Sequence, residues 1–196
     1  MYDNGKEKKL NKYQTGKEKN KQENVDYIIY EEFFNEKVVP QYEQTTVTKN
    51  DDFKPIDVIQ YVNGEKQGVE LKARIRYTVT QFPTLDISLW KFQRIREIPE
   101  DCKKHFIVSL WLNDDIITIH DITDIILDDD KWMSIMTDKD NEIKIVEKWV
   151  SKDQTMDNTK KTKQKTVQLP LNSKRCRKIK FPNLRKKYWQ TYKTFA

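Results

Sequence analysis

The stretch from Pro55 to Arg76 constrains the fold most, because its pattern predicts a β-hairpin that carries its charges on one face. Both arms alternate apolar and polar residues with the two-residue period of a strand. Between them lies Asn63-Gly64, a dipeptide favoured in two-residue type I′ turns because both positions need positive φ. Such a turn fixes the strand register, so Asp57 on the first arm is expected directly opposite Glu70 on the second.

This register brings two carboxylates together across the hairpin. Directly opposed Cβ atoms lie roughly 4.5–5.5 Å apart, and like charges placed in this way are destabilising. A cation between Asp57 and Glu70 is therefore expected, and Mg²⁺ is favoured, because it binds one or two carboxylates together with waters and substrate phosphates. Lys72 lies on the same face, about 7 Å along the strand from Glu70 at about 3.3 Å per residue, where its ammonium group would meet a phosphate or an attacking water.

Pro55-x-Asp57 followed by Glu70-Leu71-Lys72 resembles the PD-(D/E)xK signature of restriction endonucleases, phage exonucleases and Holliday-junction resolvases. The resemblance spans about residues 23–121, and Ile56 between Pro55 and Asp57 is a departure from the strict motif. It implies an α/β fold with a restriction-endonuclease-like core: a helix, a three-stranded hairpin-rich mixed sheet, a second helix and a further strand. It also implies that Asp57 and Glu70 bind Mg²⁺ or Mn²⁺ and that Lys72 orients or activates the attacking water. An ordinary surface hairpin with its charges facing water is the alternative.

A first helix is predicted over Glu23–Val38, ending before Pro40, with apolar residues nearly all round it. Glu32 projects from the centre of one apolar stripe, and Glu31 lies within a second one. Related nucleases often place a glutamate on this helix, so the resemblance implies that Glu31 or Glu32 is a further metal ligand, with Glu31 slightly favoured. Both could equally be acids on the helix surface.

A second helix is predicted from a cap at Thr84 or Asp86 to Glu97, with inward apolar residues at helical spacing. The resemblance implies a Lys or Gln on this helix near the metal, and Lys91 and Gln93 are the candidates. A solvated helix face is the favoured alternative for both. Lys91 is also a candidate nucleic-acid contact.

The sequence pattern between residues 105 and 150 predicts further strands and a short helical turn. His105–Leu112 is apolar enough for a strand buried on both sides. The segments that follow it are a strand at Ile116–His120, a short helical turn at Asp121–Leu127, and an added hairpin formed by Lys131–Thr137 and Glu142–Val150. The run Asp128-Asp129-Asp130 is interpreted as a solvated loop rather than a second metal site.

Charge divides the 196-residue chain into three parts. Residues 1–24 carry a net charge of +3, residues 25–150 carry −9, and residues 151–196 carry +12. The first part is polar and repetitive, so it is expected to be disordered. The second is expected to be the PD-(D/E)xK-like nuclease domain, and the third a basic and aromatic C-terminal tail that begins with a Lys-rich linker at Ser151–Lys165.

The tail interleaves basic and aromatic residues, which suit phosphates and unpaired bases respectively. The nucleic-acid-binding candidates in it are Lys174, Arg175, Arg177, Lys178, Lys180, Arg185, Lys186, Lys187, Tyr188 and Trp189. A solubilising or localisation tail is one alternative, and docking of its aromatic residues onto the acidic body is another.

Composition restricts the class of protein and its expected cellular location. Cys102 and Cys176 are too few and too far apart for a disulfide framework or a CxxC zinc site. The sequence also has neither an apolar run of about 20 residues nor an apolar signal-peptide core, so a soluble intracellular protein of the cytoplasm or nucleus, without a membrane partner, is expected. Abundant Lys, Asn, Ile and Asp suggest an AT-rich genome such as some viruses or phages carry.

These patterns lead to one functional hypothesis and one alternative. The hypothesis is a Mg²⁺- or Mn²⁺-dependent deoxyribonuclease, more an endonuclease than an exonuclease, acting on double-stranded or branched DNA, with a homodimer as one option. His-Asn-His, HExxH, Walker and GxSxG frameworks do not occur in the sequence. The alternative is a non-cleaving nucleic-acid-binding or virion protein on the same fold.

Overall fold

The computed structural model describes residues 16–51, 54–97, 99–151 and 161–195. These residues form a mixed α/β structure with one six-stranded mixed sheet, one three-stranded sheet and five α-helices among them. The predicted α/β class is confirmed at this level.

The elements follow one another in an order that places the hairpin near the start. The first are α1 (Gly16–Lys37), a 3₁₀ turn (Val39–Gln41), β1 (Thr46–Lys49), β2 (Val58–Val62), β3 (Glu65–Arg74), β4 (Thr84–Ser88) and α2 (Leu89–Glu97). The remainder are β5 (Lys104–Trp111), β6 (Ile116–Asp121), α3 (Thr123–Leu127), α4 (Asp129–Met136), β7 (Lys144–Ser151), β8 (Lys161–Pro170), β9 (Cys176–Lys180) and α5 (Leu184–Thr194).

The large sheet has the strand order β1-β2-β3-β5-β6-β9. Strands β1, β2 and β3 form an antiparallel meander, and β5 then lies parallel to β3. Parallel neighbours need a crossover connection, which β4 and α2 supply here. Strands β6 and β9 extend the sheet in antiparallel fashion, so that β9 is its second edge.

The predicted hairpin is confirmed in both turn and register. Asn63 and Gly64 have φ values of 54° and 75°, as a type I′ turn requires. Gln60 pairs with Gln67 across β2 and β3. Asp57 directly precedes β2, and continuing this register places it opposite Glu70.

The large sheet is covered on both faces. Helices α1 and α5 pack on one face, and α2, α3, α4 and the small sheet pack on the other. Each face of the sheet has its own hydrophobic core, and strand β5 contributes residues to both. Ile107 and Trp111 pack on one face, while Val108 and Leu110 pack on the other. Such a strand has the continuous apolar character that was predicted from its sequence.

The small sheet explains one wrong prediction. Thr84–Ser88 is the strand β4, and it neither caps nor begins a helix; α2 starts only at Leu89. Leu85 and Ile87 are buried in alternation, and the whole strand pairs with β8. The pairing partner lies about eighty residues further along the chain, so local helical spacing misled the prediction.

The predicted hairpin after β6 is also wrong in its first arm. Residues Asp129–Met136 form α4, and the Asp128 carboxylate caps this helix by accepting hydrogen bonds from the backbone amides of Asp130 and Lys131. The second arm is a strand, β7, but it pairs with β8. Asp128 therefore has a structural role in helix capping.

Parts of both flanking segments belong to the described fold. Part of the predicted linker Ser151–Lys165 belongs to β8, the central strand of the small sheet, and residues 152–160 lie outside the described residues. Residues 1–15 of the segment expected to be disordered also lie outside them, whereas α1 already begins at Gly16.

The C-terminal helix α5 is part of the core. Phe181, Leu184 and Tyr188 are fully buried against α1 and the large sheet. Among the described helices, none has the length and apolarity needed to cross a membrane.

Candidate active site

Two carboxylates meet at the end of the β2–β3 hairpin. Glu70 lies within β3 and is only 1% exposed. Asp57 is held beside it by the backbone amide of Leu71, which donates a hydrogen bond of 2.7 Å to Asp57 Oδ2. The hairpin thus brings Asp57 and Glu70 to one place, as the register predicted.

Two lysines complete this cluster. Lys72 Nζ lies 2.6 Å from Glu70 Oε1, and Lys91 Nζ lies 2.7 Å from Glu70 Oε2. Lys91 Nζ is also 4.0 Å from Asp57 Oδ1, so its ammonium group bridges the two acids. The sequence favoured a solvated helix face for Lys91; the structure turns it inward, with only 18% of its side chain exposed. Gln93, the other candidate on α2, is exposed.

The charges perturb one another strongly. Burial and the neighbouring Glu70 raise the pKa of Asp57 to about 7. Burial opposes ionisation of Glu70 as well, but Lys72 and Lys91 outweigh it and lower the pKa of Glu70. Burial also works against the Lys72 ammonium, yet Glu70 and Asp57 raise the pKa of Lys72. The cluster therefore holds one firmly ionised carboxylate, one carboxyl that titrates near neutrality and a charged lysine.

The donor set suits a hard divalent cation. Asp57 and Glu70 supply carboxylate oxygens, and Mg²⁺ usually takes one or two of these with waters and substrate phosphates. Over the described ranges, no group of three or more His, Cys, Asp or Glu side chains is arranged to hold a metal. A cation at this position would therefore rely on two carboxylates of the protein and would compete for them with the lysine ammonium groups.

The structure places neither Glu31 nor Glu32 beside Asp57 and Glu70. Glu31 accepts a hydrogen bond from Tyr27 on the same helix, and Glu32 forms an ion pair with Lys187 of α5. The buried face of α1 is set by three adjacent pairs, namely Val25 with Asp26, Ile29 with Tyr30, and Phe33 with Phe34. At about 100° per residue, positions 31 and 32 turn away from that face.

Asp26 of α1 lies against β3, and it is not among the site residues predicted from the sequence. Burial raises its pKa to about 7, although hydrogen bonds from the Tyr188 hydroxyl and the Ala73 backbone and the charge of Lys72 act against this rise. The Tyr188 hydroxyl donates a hydrogen bond of 2.8 Å to Asp26 Oδ1. The signal in the sequence was the spacing of Asp26 with Ile29, Tyr30 and Phe33.

The predicted nucleic-acid residues of the C-terminal segment fall into two groups. Some are taken up by the fold: Arg175 forms ion pairs with Asp124 and Glu142, Lys187 pairs with Glu32, and Tyr188 is buried. Trp189 is half-buried and packs edge-on against Tyr188 and Tyr192. The exposed group is Lys174, Arg177, Lys178, Lys180, Arg185 and Lys186.

Two further features near the cluster were not predicted. A groove of about 260 Å³ adjoins it and is lined by Lys54, Pro55, Trp90, Lys91 and Arg94. On β5, Ser109 is the strand partner of Lys72, and its buried hydroxyl has no hydrogen-bond partner among the described residues. Trp90 could have been found from its place outside the inward stripe of α2, next to Lys91.

Comparisons of the chain with protein-family models, curated proteins and solved structures found no match.

Proposed function

We propose that this protein is a metal-dependent deoxyribonuclease that hydrolyses phosphodiester bonds. The observation that carries the proposal is the cluster of Asp57, Glu70, Lys72 and Lys91, with Glu70 buried between two ammonium groups. Perturbed ionisable groups of this kind gather at catalytic sites more often than on ordinary surfaces. A solvated surface hairpin would not bury a glutamate to 1% exposure.

The connectivity around the cluster supports the same proposal. The order α1-β1-β2-β3-α2-β5, with an antiparallel meander and then a parallel strand, agrees with the restriction-endonuclease-like core that the PD-(D/E)xK resemblance implies. Strand β4 is an addition between β3 and α2. The resemblance assigns its motif positions to Asp57, Glu70 and Lys72, and it implies a Lys or Gln on the second helix, which Lys91 on α2 would supply.

The chemistry follows from the roles of the four side chains. Asp57 and Glu70 would hold Mg²⁺ or Mn²⁺, which when bound polarises a phosphoryl oxygen and lowers the pKa of a bound water. Lys72 is charged in this arrangement, so it would orient the attacking water or stabilise the phosphate rather than remove a proton. Lys91, which lies against both acids, would contact the scissile phosphate.

The proposed substrate is double-stranded or branched DNA. The exposed cations of β9 and α5 supply phosphate contacts that do not depend on sequence. Such contacts position a duplex, whereas the carboxylate cluster cuts it.

A cleavage assay tests the proposal. Supercoiled, linear, branched and single-stranded DNA are incubated with the full-length protein in Mg²⁺ or Mn²⁺, with EDTA as the control. Wild-type protein should cut at least one form only when metal is present, and Asp57→Asn should not. Wild-type protein that leaves every form intact in both metals would contradict the proposal.

One observation favours a second candidate, a non-cleaving nucleic-acid-binding protein. Lys72 and Lys91 face the two acids Glu70 and Asp57, so the cluster is charge-balanced without a divalent cation when both acids are ionised. In that case the same residues stabilise the hairpin and α2, and the exposed cations alone engage nucleic acid.

A further inference from the structure

The groove beside the carboxylate cluster carries an exposed aromatic ring among cations. Trp90 is 64% exposed, the largest exposed fraction among the large hydrophobic side chains that the structure describes. It is the second residue of α2, whose inward face is taken by Leu89, Phe92 and Ile95. The helical spacing therefore directs the Trp90 ring away from the core.

The residues around Trp90 are basic. Arg94 lies one helical turn after Trp90, and Lys54 lines the groove from the chain just before the hairpin. The Arg94 side chain is 38% exposed and forms an exposed ion pair with Glu97. The Lys54 side chain is 41% exposed and pairs with Glu100, whose side chain is only 15% exposed. An exposed ion pair is weak, so Arg94 is available to a phosphate, and the Lys54 ammonium adds positive charge at the edge of the groove.

The size of the groove restricts its occupant. At about 260 Å³ it is smaller than the roughly 300–1,000 Å³ of pockets that enclose whole drug-sized ligands. An exposed aromatic face with flanking cations is the combination by which single-stranded nucleic acid is held, because every base has a face that can stack. A base inside an intact duplex is already stacked, so only an unpaired base can reach Trp90.

We propose that the groove formed by Lys54, Trp90, Lys91 and Arg94 binds an unpaired deoxynucleotide next to the scissile phosphate, with its base stacked on Trp90. Lys91 belongs both to the groove and to the carboxylate cluster, so the stacked nucleotide lies beside the bond that is cut. The inference rests on the proposed nuclease function and narrows its substrate: DNA with an unpaired base at the cutting point, such as a frayed end, a flap or a branch.

Binding measurements in EDTA test this without any cleavage. A fluorescently labelled 12-nucleotide oligo-dT and a blunt duplex of equal length are titrated with wild-type protein, Trp90→Ala, Trp90→Phe and, as control, Met133→Ala. Met133 is a second exposed apolar side chain, 55% exposed, on α4. Trp90→Ala should weaken oligo-dT binding by about 5- to 150-fold. Trp90→Phe should keep most of the affinity, and duplex binding and Met133→Ala should be unchanged.

Two results would overturn the inference. One is oligo-dT affinity in Trp90→Ala equal to that of wild type; the other is an equal loss for oligo-dT and blunt duplex, which would mean that Trp90 contacts the backbone or shapes the fold. A 2-aminopurine placed in the single strand gives a second readout, since stacking on Trp90 should quench its fluorescence in wild type and not in Trp90→Ala. Because these assays need no cutting, they fail or succeed separately from the EDTA-controlled cleavage test.

Discussion

Lys91 Nζ lies 2.7 Å from Glu70 Oε2, so the helix that follows the small-sheet strand β4 places a cation on a carboxylate buried in β3. This contact joins two segments twenty-one residues apart in sequence and completes the candidate site. It also means that a metal ion and an ammonium group would compete for the same oxygens.

The competition yields a prediction for Lys91→Ala. Without Lys91, Glu70 loses one of two ion-pair partners in a buried position, and the free energy of unfolding should fall by about 1–3 kcal/mol in EDTA. Mg²⁺ or Mn²⁺ should then raise the melting temperature more in the variant than in wild type, because binding to the folded state stabilises it. Thermal unfolding with and without metal measures both effects.

Lys103→Ala is the matched control for Lys91→Ala. Lys103 is exposed just before β5, so its removal should leave the melting temperature and its metal response unchanged. An equal metal response in wild type and Lys91→Ala would show that the ammonium group and the metal do not share a site.

Asp57→Asn tests the metal ligands themselves. The amide keeps the shape of the side chain and can still accept the hydrogen bond from Leu71, but it removes one carboxylate from the cluster. The rise in melting temperature that Mg²⁺ or Mn²⁺ causes in wild type should disappear, as measured by thermal unfolding. A metal response in Asp57→Asn as large as in wild type would remove Asp57 from the site.

The buried pair of Asp26 and Tyr188 predicts a dependence of stability on pH. The pKa of Asp26 is raised in the folded state, so folding favours its protonated form, and stability is lost as the pH rises from about 4 to about 7. The hydrogen bond from the Tyr188 hydroxyl favours ionised Asp26 and so limits the loss of stability at higher pH. Tyr188→Phe should therefore cost about 1–3 kcal/mol at pH 8 and less at pH 5.

Urea unfolding at the two pH values measures this difference. Tyr61→Phe is the control, since Tyr61 is 40% exposed on β2 and its hydroxyl is not needed in the core. A cost for Tyr188→Phe that is the same at pH 5 and pH 8 would contradict the proposed link to Asp26.

The hairpin shows what the sequence alone could predict. Asn63-Gly64 fixes a turn and a register locally, so the meeting of Asp57 and Glu70 followed from a few neighbouring residues. The burial of β5 on both faces could likewise be predicted from the apolar residues of that strand alone. Such features are predictable because the interactions that determine them lie within one strand or one turn.

The missed features depend on distant partners. Thr84–Ser88 alternates over only five residues, and it becomes a strand because β8 pairs with it. The acid of α1 that reaches β3 is Asp26 because the docking of α1 and α5 selects that face, whereas the sequence offered two apolar stripes. Lys91 was ambiguous for the same reason: its direction depends on how α2 packs on the sheet.

The exposed cations of the C-terminal segment predict the salt dependence of DNA binding. Deleting residues 151–196 would remove β8, β9 and α5 from the fold, so substitution is the better test. Replacing Lys178, Lys180 and Lys186 by Gln should reduce the slope of log K against log salt by up to about 2.7, at about 0.9 per phosphate contact. Fluorescence anisotropy with duplex DNA over a range of salt concentrations measures it.

A second triple variant controls for the change in net charge. Lys103, Lys104 and Lys139 are exposed outside β9 and α5, and replacing them by Gln removes the same number of positive charges. If both triple variants lower the slope equally, net charge rather than the surface of β9 and α5 determines binding.

The most direct measurement of the central claim compares the cleavage rate and the DNA affinity of Lys72→Ala with those of wild type and Lys103→Ala. If Lys72 acts on the attacking water or on the transition-state phosphate, Lys72→Ala should lose orders of magnitude in cleavage rate while its Kd for DNA changes little. The opposite pattern, a modest loss of affinity with a salt slope lower by about one and no cleavage by wild-type protein in Mg²⁺ or Mn²⁺, would show a binding protein instead of a nuclease.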